Sequence, residues 1–282
     1  MKKTVMITGA SSGIGKAASL YFAAQGWNVI ATMRSPEKET TLAGQDNILV
    51  TALDVTDPAA AEAAIKAGIG RFGRIDVLVN NAGYGQQGLF EAITPGKIQA
   101  QFDTNVFGLM HVTRAILPHF RAHKSGTVVN VSSGAGRVTT PLLSVYSASK
   151  FAVEGFSESL AFELASQQIQ VKIVEPGYIA TPFYDRAGGE FAADASLEDY
   201  QAFSESMTTF FQSFAGGDNL FSAADVAQVI YTAATDGTQQ LRYVAGPDIE
   251  PMLQLRNGGK ADQEYVDYTR KLFMPGAFDH KA

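Results

Sequence analysis

Short apolar segments alternate with stretches long enough for a helix, and this alternation limits the fold of the chain more than any other feature. The predicted strands are Val5–Ile7, Val29–Thr32, Ile48–Leu53, Val77–Asn80, Thr127–Val131, Val171–Val174 and Leu241–Val244. Nearly continuous apolar strands joined by helices are typical of a parallel sheet that helices cover on both faces. The sequence therefore predicts an α/β protein with a doubly wound parallel sheet of about seven strands.

Two regions depart from this alternation. Residues 183–219 follow the sixth predicted strand and carry eight aromatic side chains among small and acidic residues. Residues 248–282 form a C-terminal extension with a helical pattern near its end. The 282 residues show no internal repeat, low-complexity tract or linker, so we predict that residues 1–282 form a single domain.

Composition excludes several classes of function. The net charge of -6 and the pI near 5.3 argue against nonspecific binding of nucleic acid, which needs a basic surface. Cysteine is absent, which excludes disulfides, thiolate metal sites and thiol nucleophiles. No apolar run is long enough to span a bilayer, and the first one stops at Gly9, too early for a signal peptide. We therefore expect no membrane partner and a cytoplasmic location.

Two histidines on one predicted helix have a spacing that can suit a metal ion. His119 and His123 are four residues apart. No carboxylate completes an H-E-x-x-H arrangement, so we interpret them as a solvated or interfacial helix face. The sequence predicts no metal site.

A glycine-rich turn lies directly between the first predicted strand and the first helix. Gly9, Gly13 and Gly15 allow a tight turn whose backbone N–H groups can approach a pyrophosphate at the helix N-terminus. The spacing G-x-x-x-G-x-G is not G-x-G-x-x-G, and Ala17 replaces the Ser or Thr of a Walker A loop. Nucleotide binding is favoured, and a plain glycine-rich turn is the alternative.

Tyr146 and Lys150 place a phenol and an ammonium group four residues apart. On a helix these positions share one face, and a nearby cation lowers the pKa of a phenol toward the range useful for acid–base catalysis. By itself the pair also fits an ordinary solvated helix face.

Six motifs occur together in one order along the chain. They are Thr8-Gly9-x-x-x-Gly13-Ile14-Gly15, Asn80-Asn81-Ala82-Gly83, Asn105, Ser133, Tyr146-x-x-x-Lys150 and Pro176-Gly177. In this order they resemble the short-chain dehydrogenase/reductase family, closely over residues 4–182 and loosely to about residue 247. The resemblance implies a single-domain Rossmann fold and a nicotinamide-dependent oxidoreductase that interconverts an alcohol and a ketone or aldehyde.

The resemblance also implies roles for four catalytic residues. Tyr146 would be the general acid and base, and Lys150 would lower its pKa and bind the nicotinamide ribose. Ser133 would donate a hydrogen bond to the substrate oxygen, and its interval to Tyr146 selects it over Ser132. Asn105 would hold a water molecule in a proton relay toward Lys150. Their simpler alternatives are a turn-forming serine and an internally bonded helix asparagine.

The cofactor site implied by the resemblance covers the ends of several strands. Its residues are Gly9, Ser11, Ser12, Gly13, Ile14, Gly15, Arg34, Asp54, Val55, Asn81, Ala82, Gly83, Tyr146, Lys150, Pro176, Gly177, Ile179 and Thr181. Asp54 and Val55 would contact adenine, and Ile179 and Thr181 would hold the carboxamide.

Arg34 predicts which nicotinamide cofactor is used. Members of the family that prefer NAD usually end the second strand with an acidic residue, which binds the adenosine ribose. Met33 stands at that position here, and Arg34 follows it. A guanidinium group binds a 2′-phosphate, so we predict NADP(H). The alternative is that Arg34 is an ordinary surface residue in a loop.

The substrate is predicted from the aromatic segment 183–219, which lies where the family has its substrate loop. Its Phe and Tyr residues suggest a helical lid over a hydrophobic alcohol or carbonyl substrate, although a helical pair with its own small core fits equally well. The run Ala31-Thr32-Met33-Arg34 and the C-terminal tail also resemble the branch that holds 17β-hydroxysteroid and retinol dehydrogenases, which accepts very diverse substrates. The family also implies a homodimer or homotetramer. The alternative function is an NADPH-binding redox-sensing regulator with little turnover.

Overall fold

The computed structural model of the chain describes residues 2–179, 191–215, 221–258 and 262–273. Its strands are β1 (Thr4–Ile7), β2 (Asn28–Met33), β3 (Ile48–Ala52), β4 (Val77–Asn80), β5 (Gly126–Val131), β6 (Ile169–Pro176) and β7 (Arg242–Ala245). They form one seven-stranded sheet in the order β3-β2-β1-β4-β5-β6-β7, in which every pair is parallel. The predicted doubly wound sheet and single-domain Rossmann fold are confirmed. The strand order reverses between β1 and β4, which opens a crevice at the carboxyl ends of these strands.

Helices connect and flank the strands throughout the described part of the chain. They are α1 (Gly13–Ala24), α2 (Pro58–Phe72), α3 (Pro95–Phe102), α4 (Leu109–His123), α5 (Ser144–Ala165), α6 (Gln201–Ala215), α7 (Ala223–Thr235), α8 (Glu250–Asn257) and α9 (Asp262–Phe273). A π-helical segment, Asp103–Gly108, joins α3 to α4. Within the described ranges, no helix combines the length and the apolar character needed to cross a membrane.

Two hydrophobic layers explain why the strands read as nearly continuous apolar runs. Successive side chains of β1 point to opposite faces of the sheet. Val5 and Ile7 join one buried cluster with Phe22 of α1, whereas Met6 joins the other with Phe120 of α4. Because both faces are covered, most positions along a central strand are apolar.

The C-terminal extension packs on the loop that follows β5. Val138 from that loop forms a small buried cluster with Leu253 of α8 and Tyr265 of α9. The backbone N–H of Thr139 also donates a hydrogen bond to the Tyr265 hydroxyl at 3.0 Å. The described part of the extension therefore rests on the segment between Ser133 and Tyr146.

The aromatic segment 183–219 lies partly outside the described residues. Residues 191–215 are described, and most of them form α6 and the turn before it. Met207 of α6 is buried, and Tyr200 and Phe203 border a groove described below. A substrate lid and a separate small core both stay predictions.

Two glycines of α2 provide a matched test of the packing between this helix and the sheet. A Cβ atom on Gly68 would overlap Ile30 of β2, whereas a Cβ atom on Gly70 would meet no atom within 4 Å. We expect Gly68→Ala to destabilise the protein by about 1–2 kcal/mol through overpacking. Gly70→Ala is expected to stabilise it by up to about 1 kcal/mol because alanine favours a helix. Urea unfolding measures both, and equal effects of the two substitutions would contradict the packing described here.

Candidate active site

The glycine-rich turn after β1 has a backbone conformation that favours glycine. Gly9 and Gly13 have φ angles of 67° and 54°, in the left-handed region. A Cβ atom on Gly15 would overlap the Gly9 carbonyl and the side chain of Asn81. Helix α1 begins at Gly13, so its first N–H groups have no partner within the helix and can bind an anion. This turn fits a pyrophosphate.

Asn81 holds the glycine-rich turn against the end of β4. Its side-chain amide donates hydrogen bonds to the carbonyl oxygens of Thr8 and Gly9, at 3.0 and 3.2 Å. The backbone N–H groups of Asn81 and Ala82 both donate to the Thr8 hydroxyl at 3.0 Å. Asn81 and Ala82 therefore brace the turn, and together with Gly83 they also line the crevice.

A cleft of about 610 Å³ opens at the carboxyl ends of the strands and collects almost every predicted cofactor residue. The predicted residues that line it are Gly9, Ser11, Ser12, Gly13, Ile14, Arg34, Asp54, Val55, Asn81, Ala82, Gly83, Ser133, Tyr146, Lys150, Pro176, Gly177 and Ile179. Gly15 and Asn105 support the walls from behind, and Thr181 lies outside the described residues. Tyr84 and Thr104 also line the cleft, although nothing in their sequence context singles them out.

Tyr146, Lys150 and Ser133 meet on one side of this cleft. Tyr146 and Lys150 lie on the first turns of α5, with the Lys150 ammonium 5.8 Å from the centre of the Tyr146 ring. Ser133 lies directly after β5, at the start of the loop that follows, and its hydroxyl is close enough to Tyr146 to lower the pKa of that phenol. The Lys150 ammonium donates a hydrogen bond to the Val131 carbonyl at 2.9 Å. The predicted trio of side chains is thus brought together by the end of β5 and the start of α5.

The neighbouring serines Ser132 and Ser133 face different surroundings. Ser132 is 2% exposed, and its hydroxyl has no hydrogen-bond partner among the described residues. Ser133 contacts Tyr146 and also accepts a hydrogen bond from the Ala135 N–H at 3.1 Å. The geometry agrees with the choice of Ser133, and the contact to Ala135 shows that it forms a turn as well.

In the structure the pKa of Tyr146 is raised, whereas the sequence predicts that it is lowered. Burial raises the pKa of Tyr146 from 10.0 to about 12, and the hydrogen bond from Ser133 only partly opposes this. Burial also lowers the pKa of Lys150 from 10.5 to about 8, although Glu154 acts in the opposite direction. Both shifts have one cause, because a desolvated site disfavours the charged form of each group. Tyr146 is therefore a neutral phenol near pH 7, which suits a proton donor.

Asn105 lies in the π-helical segment and is buried. Its side-chain oxygen accepts a hydrogen bond from the Tyr84 N–H at 3.0 Å. Its amide donates to the Tyr84 carbonyl at 2.9 Å and to the Ser149 hydroxyl at 3.2 Å. The Asn105 side chain is thus bonded within the protein, which was the alternative to a catalytic role. It fixes the loop after β4 to α5. The water relay stays a prediction.

Arg34 lies directly after β2 and lines one end of the cleft. Met33 is 3% exposed and part of the core, whereas the Arg34 side chain is exposed and lines the cleft. Hydrogen bonds from the Thr56 N–H and hydroxyl hold the pKa of Asp54 below its usual range, and the charge of Arg34 adds to this effect. Arg34 and Asp54 therefore lie close enough to interact at one end of the cleft.

The burial of Lys150 leads to a pH-dependent prediction about stability. Unfolded Lys150 titrates near 10.5 and folded Lys150 near 8, so between these values only the unfolded chain holds the proton. The cost of burying the charge is therefore complete below pH 8 and disappears as the pH rises toward 10.5. We expect Lys150→Met to be more stable than the wild type by about 1–3 kcal/mol at pH 7, after loss of the bond to Val131.

Chemical denaturation at several pH values measures this difference. The advantage of Lys150→Met is expected to shrink steadily above pH 8. Lys66→Met, which removes an exposed lysine from α2, serves as the control and is expected to show a small difference at every pH. A Lys150 variant that is less stable than the wild type at pH 7 would contradict the cost assigned to burial.

Known proteins resemble this chain over most of its length. A family model described as short chain dehydrogenase matches residues 3–189. The oxidoreductase BOA17 of Botryotinia fuckeliana is 38% identical over 255 residues, which cover 88% of this chain and 90% of the relative. Retinol dehydrogenase 8 of Homo sapiens is 32% identical over 288 residues, which cover 96% of this chain and 90% of the relative.

Solved structures of similar sequence have the same fold as this chain. A short-chain dehydrogenase from Streptomyces avermitilis superposes with a TM-score of 0.80 at 34% identity, covering 96% of both chains. ElxO with NADP bound gives a TM-score of 0.71 at 30% identity, covering 87% of this chain and 98% of that one. A 3-ketoacyl-(acyl-carrier-protein) reductase from Brucella melitensis, complexed with NADH, gives 0.71 at 27% identity, covering 86% and 97%.

Proposed function

The chain belongs to the short-chain dehydrogenase family of oxidoreductases, and on that basis we propose that it is an NADP(H)-dependent enzyme that interconverts an alcohol and a ketone or aldehyde. The observation that carries this proposal is the grouping of Ser133 and Tyr146 in one cleft with Lys150, which lies one turn after Tyr146 on α5. This group faces a cleft at the point where the strand order reverses, which is where open α/β sheets bind their ligands.

In this proposal Tyr146 moves the proton. As a neutral phenol it donates to the carbonyl oxygen during reduction, and as a phenolate it accepts from the alcohol during oxidation. The Ser133 hydroxyl, which already contacts Tyr146, lies where it can donate to the same substrate oxygen as negative charge develops there. The Lys150 ammonium stabilises the phenolate that forms. The nicotinamide cofactor, when bound, supplies or accepts the hydride.

The residues of the cleft fit such a cofactor along its whole length. In this proposal the turn from Gly9 to Gly15 offers N–H groups to the pyrophosphate, and Asp54 and Val55, which also line the cleft, contact adenine. Pro176, Gly177 and Ile179 line the opposite end, close to Tyr146 and Lys150. Thr181 belongs to the same proposed site, although it lies outside the described residues.

The choice of NADP(H) rests on Arg34. Met33 places no carboxylate at the end of β2, and the exposed guanidinium of Arg34 lines the cleft. A planar guanidinium can bind a phosphate through two parallel hydrogen bonds. One similar structure contains NADP and another contains NADH, so similarity alone does not favour either cofactor. The preference for NADP(H) is therefore proposed from Arg34.

A hydrophobic substrate is supported by an apolar groove of about 490 Å³. Leu89 and Phe90 from the loop after β4, Leu142 from the segment before α5, and Tyr200 and Phe203 near the start of α6 line it. Phe90, at 64% exposure, presents apolar surface within this groove. The similarity to retinol dehydrogenase 8 points the same way. A cytoplasmic homodimer or homotetramer stays part of the proposal.

Tyr146→Phe separates an enzyme from a cofactor-binding regulator. The substitution removes the transferable proton but keeps the ring, so we expect turnover to fall by at least about 100-fold. NADPH affinity, measured by calorimetry, is expected to change little. The assay follows NADPH absorbance with a panel of hydrophobic ketones and aldehydes. A wild-type protein that binds NADPH but turns over none of the panel would favour the redox-sensing regulator.

Arg34→Ala tests the cofactor choice. Loss of a charge-assisted phosphate contact is expected to weaken NADPH binding by about 10–100-fold and to leave NADH binding nearly unchanged. Titration of wild type and variant with both cofactors, at one salt concentration, measures the ratio of the two affinities. Equal loss for both cofactors, or a wild type that prefers NADH, would refute the role of Arg34.

A further inference from the structure

A buried carboxylate that takes no part in the proposed chemistry lies just beyond Arg34. Glu39 belongs to the loop between β2 and β3, and it is only 8% exposed. The ammonium of Lys16 contacts both of its carboxylate oxygens at 3.1 Å and the Thr41 hydroxyl at 3.0 Å. Lys16 directly follows Gly15, within the first turn of α1. The pair thus joins the phosphate-binding helix to the loop that carries Arg34.

The same carboxylate also organises the loop from within. One oxygen of Glu39 accepts hydrogen bonds from the N–H groups of Thr41 and Leu42, at 2.6 and 3.0 Å. Leu42 is fully buried in the hydrophobic cluster that includes Met33. Burial alone raises the pKa of Glu39, but its hydrogen bonds with Leu42, Lys16 and Thr41 outweigh burial and hold that pKa below its usual range. Glu39 is therefore a charged group at neutral pH.

Arg34 is held from both sides by this arrangement. On one side, Met33 is fixed by the ladder between β2 and β3, where its carbonyl also accepts from the Leu53 N–H at 2.9 Å. On the other side, residues 35–39 form a short turn with backbone hydrogen bonds from Lys38 to Ser35 and from Glu39 to Pro36. The Lys16–Glu39 pair ties the far end of that turn to α1.

We propose that the Lys16–Glu39 pair is a positioning device that sets Arg34 at a fixed distance from the phosphate-binding turn, and so helps the protein select NADPH over NADH. This inference rests on the proposed NADP(H) dependence. The physical reason is that binding a phosphate through Arg34 would cost conformational entropy if the loop that carries it had to be ordered at the same time. A loop that is already fixed at both ends removes the backbone part of that cost.

The competing explanation is that Lys16 attracts the cofactor phosphates directly. The two explanations make opposite predictions for Glu39→Gln. If Lys16 simply attracted cofactor phosphates, removing the opposing charge with Glu39→Gln would strengthen NADPH binding. If the pair positions Arg34, Glu39→Gln and Lys16→Met would both weaken NADPH binding, because each breaks the same ion pair from one side. The glutamine side chain keeps an oxygen for the N–H groups of Thr41 and Leu42, so the loop itself is retained.

The experiment titrates the full chain with NADPH and with NADH by calorimetry. The variants are Glu39→Gln, Lys16→Met, Lys16→Arg, Lys38→Met, Arg34→Ala and the double variant Arg34→Ala/Glu39→Gln. Lys38→Met is the control: it removes an exposed lysine from the loop that carries Glu39, but this lysine is not part of the ion pair. Lys16→Arg keeps the ion pair and is the conservative rescue. Thermal unfolding of every variant shows whether it is folded at the titration temperature.

The expected result is a loss of selectivity that depends on Arg34. Glu39→Gln and Lys16→Met each lower the ratio of NADPH to NADH affinity by roughly threefold to tenfold, the range that coupled residues commonly give. Lys16→Arg restores most of the ratio, and Lys38→Met changes it less than Lys16→Met does. In the Arg34→Ala background, Glu39→Gln produces no further loss, because there is no guanidinium left to position.

Other outcomes overturn the inference and separate it from the function on which it rests. Equal losses for NADPH and NADH, stronger NADPH binding by Glu39→Gln, or a full additional loss in the double variant would each refute the positioning role. If Arg34→Ala lowers the ratio while the pair variants do not, only this inference fails. If Arg34→Ala leaves the ratio unchanged, the proposed cofactor choice fails with it. If Glu39→Gln does not fold, the comparison of Lys16→Met with Lys16→Arg tests the inference, because Lys16 is partly exposed.

Discussion

The cleft depends on the hydrogen bonds that join the ends of β1 and β4. The Thr8 hydroxyl accepts from two backbone N–H groups of the neighbouring turn, and the Asn81 amide donates to two carbonyls of the glycine-rich turn. These contacts fix the two loops on either side of the strand reversal. Gly9 and Gly15 allow the approach because a Cβ atom on either would meet its neighbours. Without this closure, the anion-binding end of α1 would have no fixed relation to the rest of the site.

Polar groups buried around the proposed catalytic side chains come at a cost to stability. Lys150 and Tyr146 are both desolvated, and burial opposes the charged form of each. Glu154, one turn beyond Lys150, is tied to Arg242 at 3.0 Å and favours the protonated lysine. Such an arrangement is typical of functional sites, where strained electrostatics are kept because the chemistry uses them. The same desolvation keeps Tyr146 a neutral phenol, whereas its spacing to Lys150 predicts a lowered pKa.

Sequence patterns predicted most of the fold and most of the cleft, and their failures have identifiable reasons. The strands were found because both faces of the sheet are buried, although their ends moved: β6 runs from Ile169 to Pro176, and β7 ends at Ala245. Ser133 was found by its interval to Tyr146. The sequence did not predict that Asn105 bonds to Tyr84 and Ser149. These bonds depend on a π-helical segment that brings three parts of the chain together. No motif pointed to Tyr84 itself.

By itself, the sequence determined the parallel α/β architecture, the glycine-rich turn after β1 and the order of the motifs. Each of these depends on local spacing, on glycine backbone freedom or on the period of apolar residues, which neighbouring positions in the chain reveal. Only the tertiary structure decided the direction of the Tyr146 pKa, the internal bonding of Asn105 and the pairing of Lys16 with Glu39. These features depend on burial and on contacts between residues far apart in the chain, and desolvation is a property of the packed molecule as a whole.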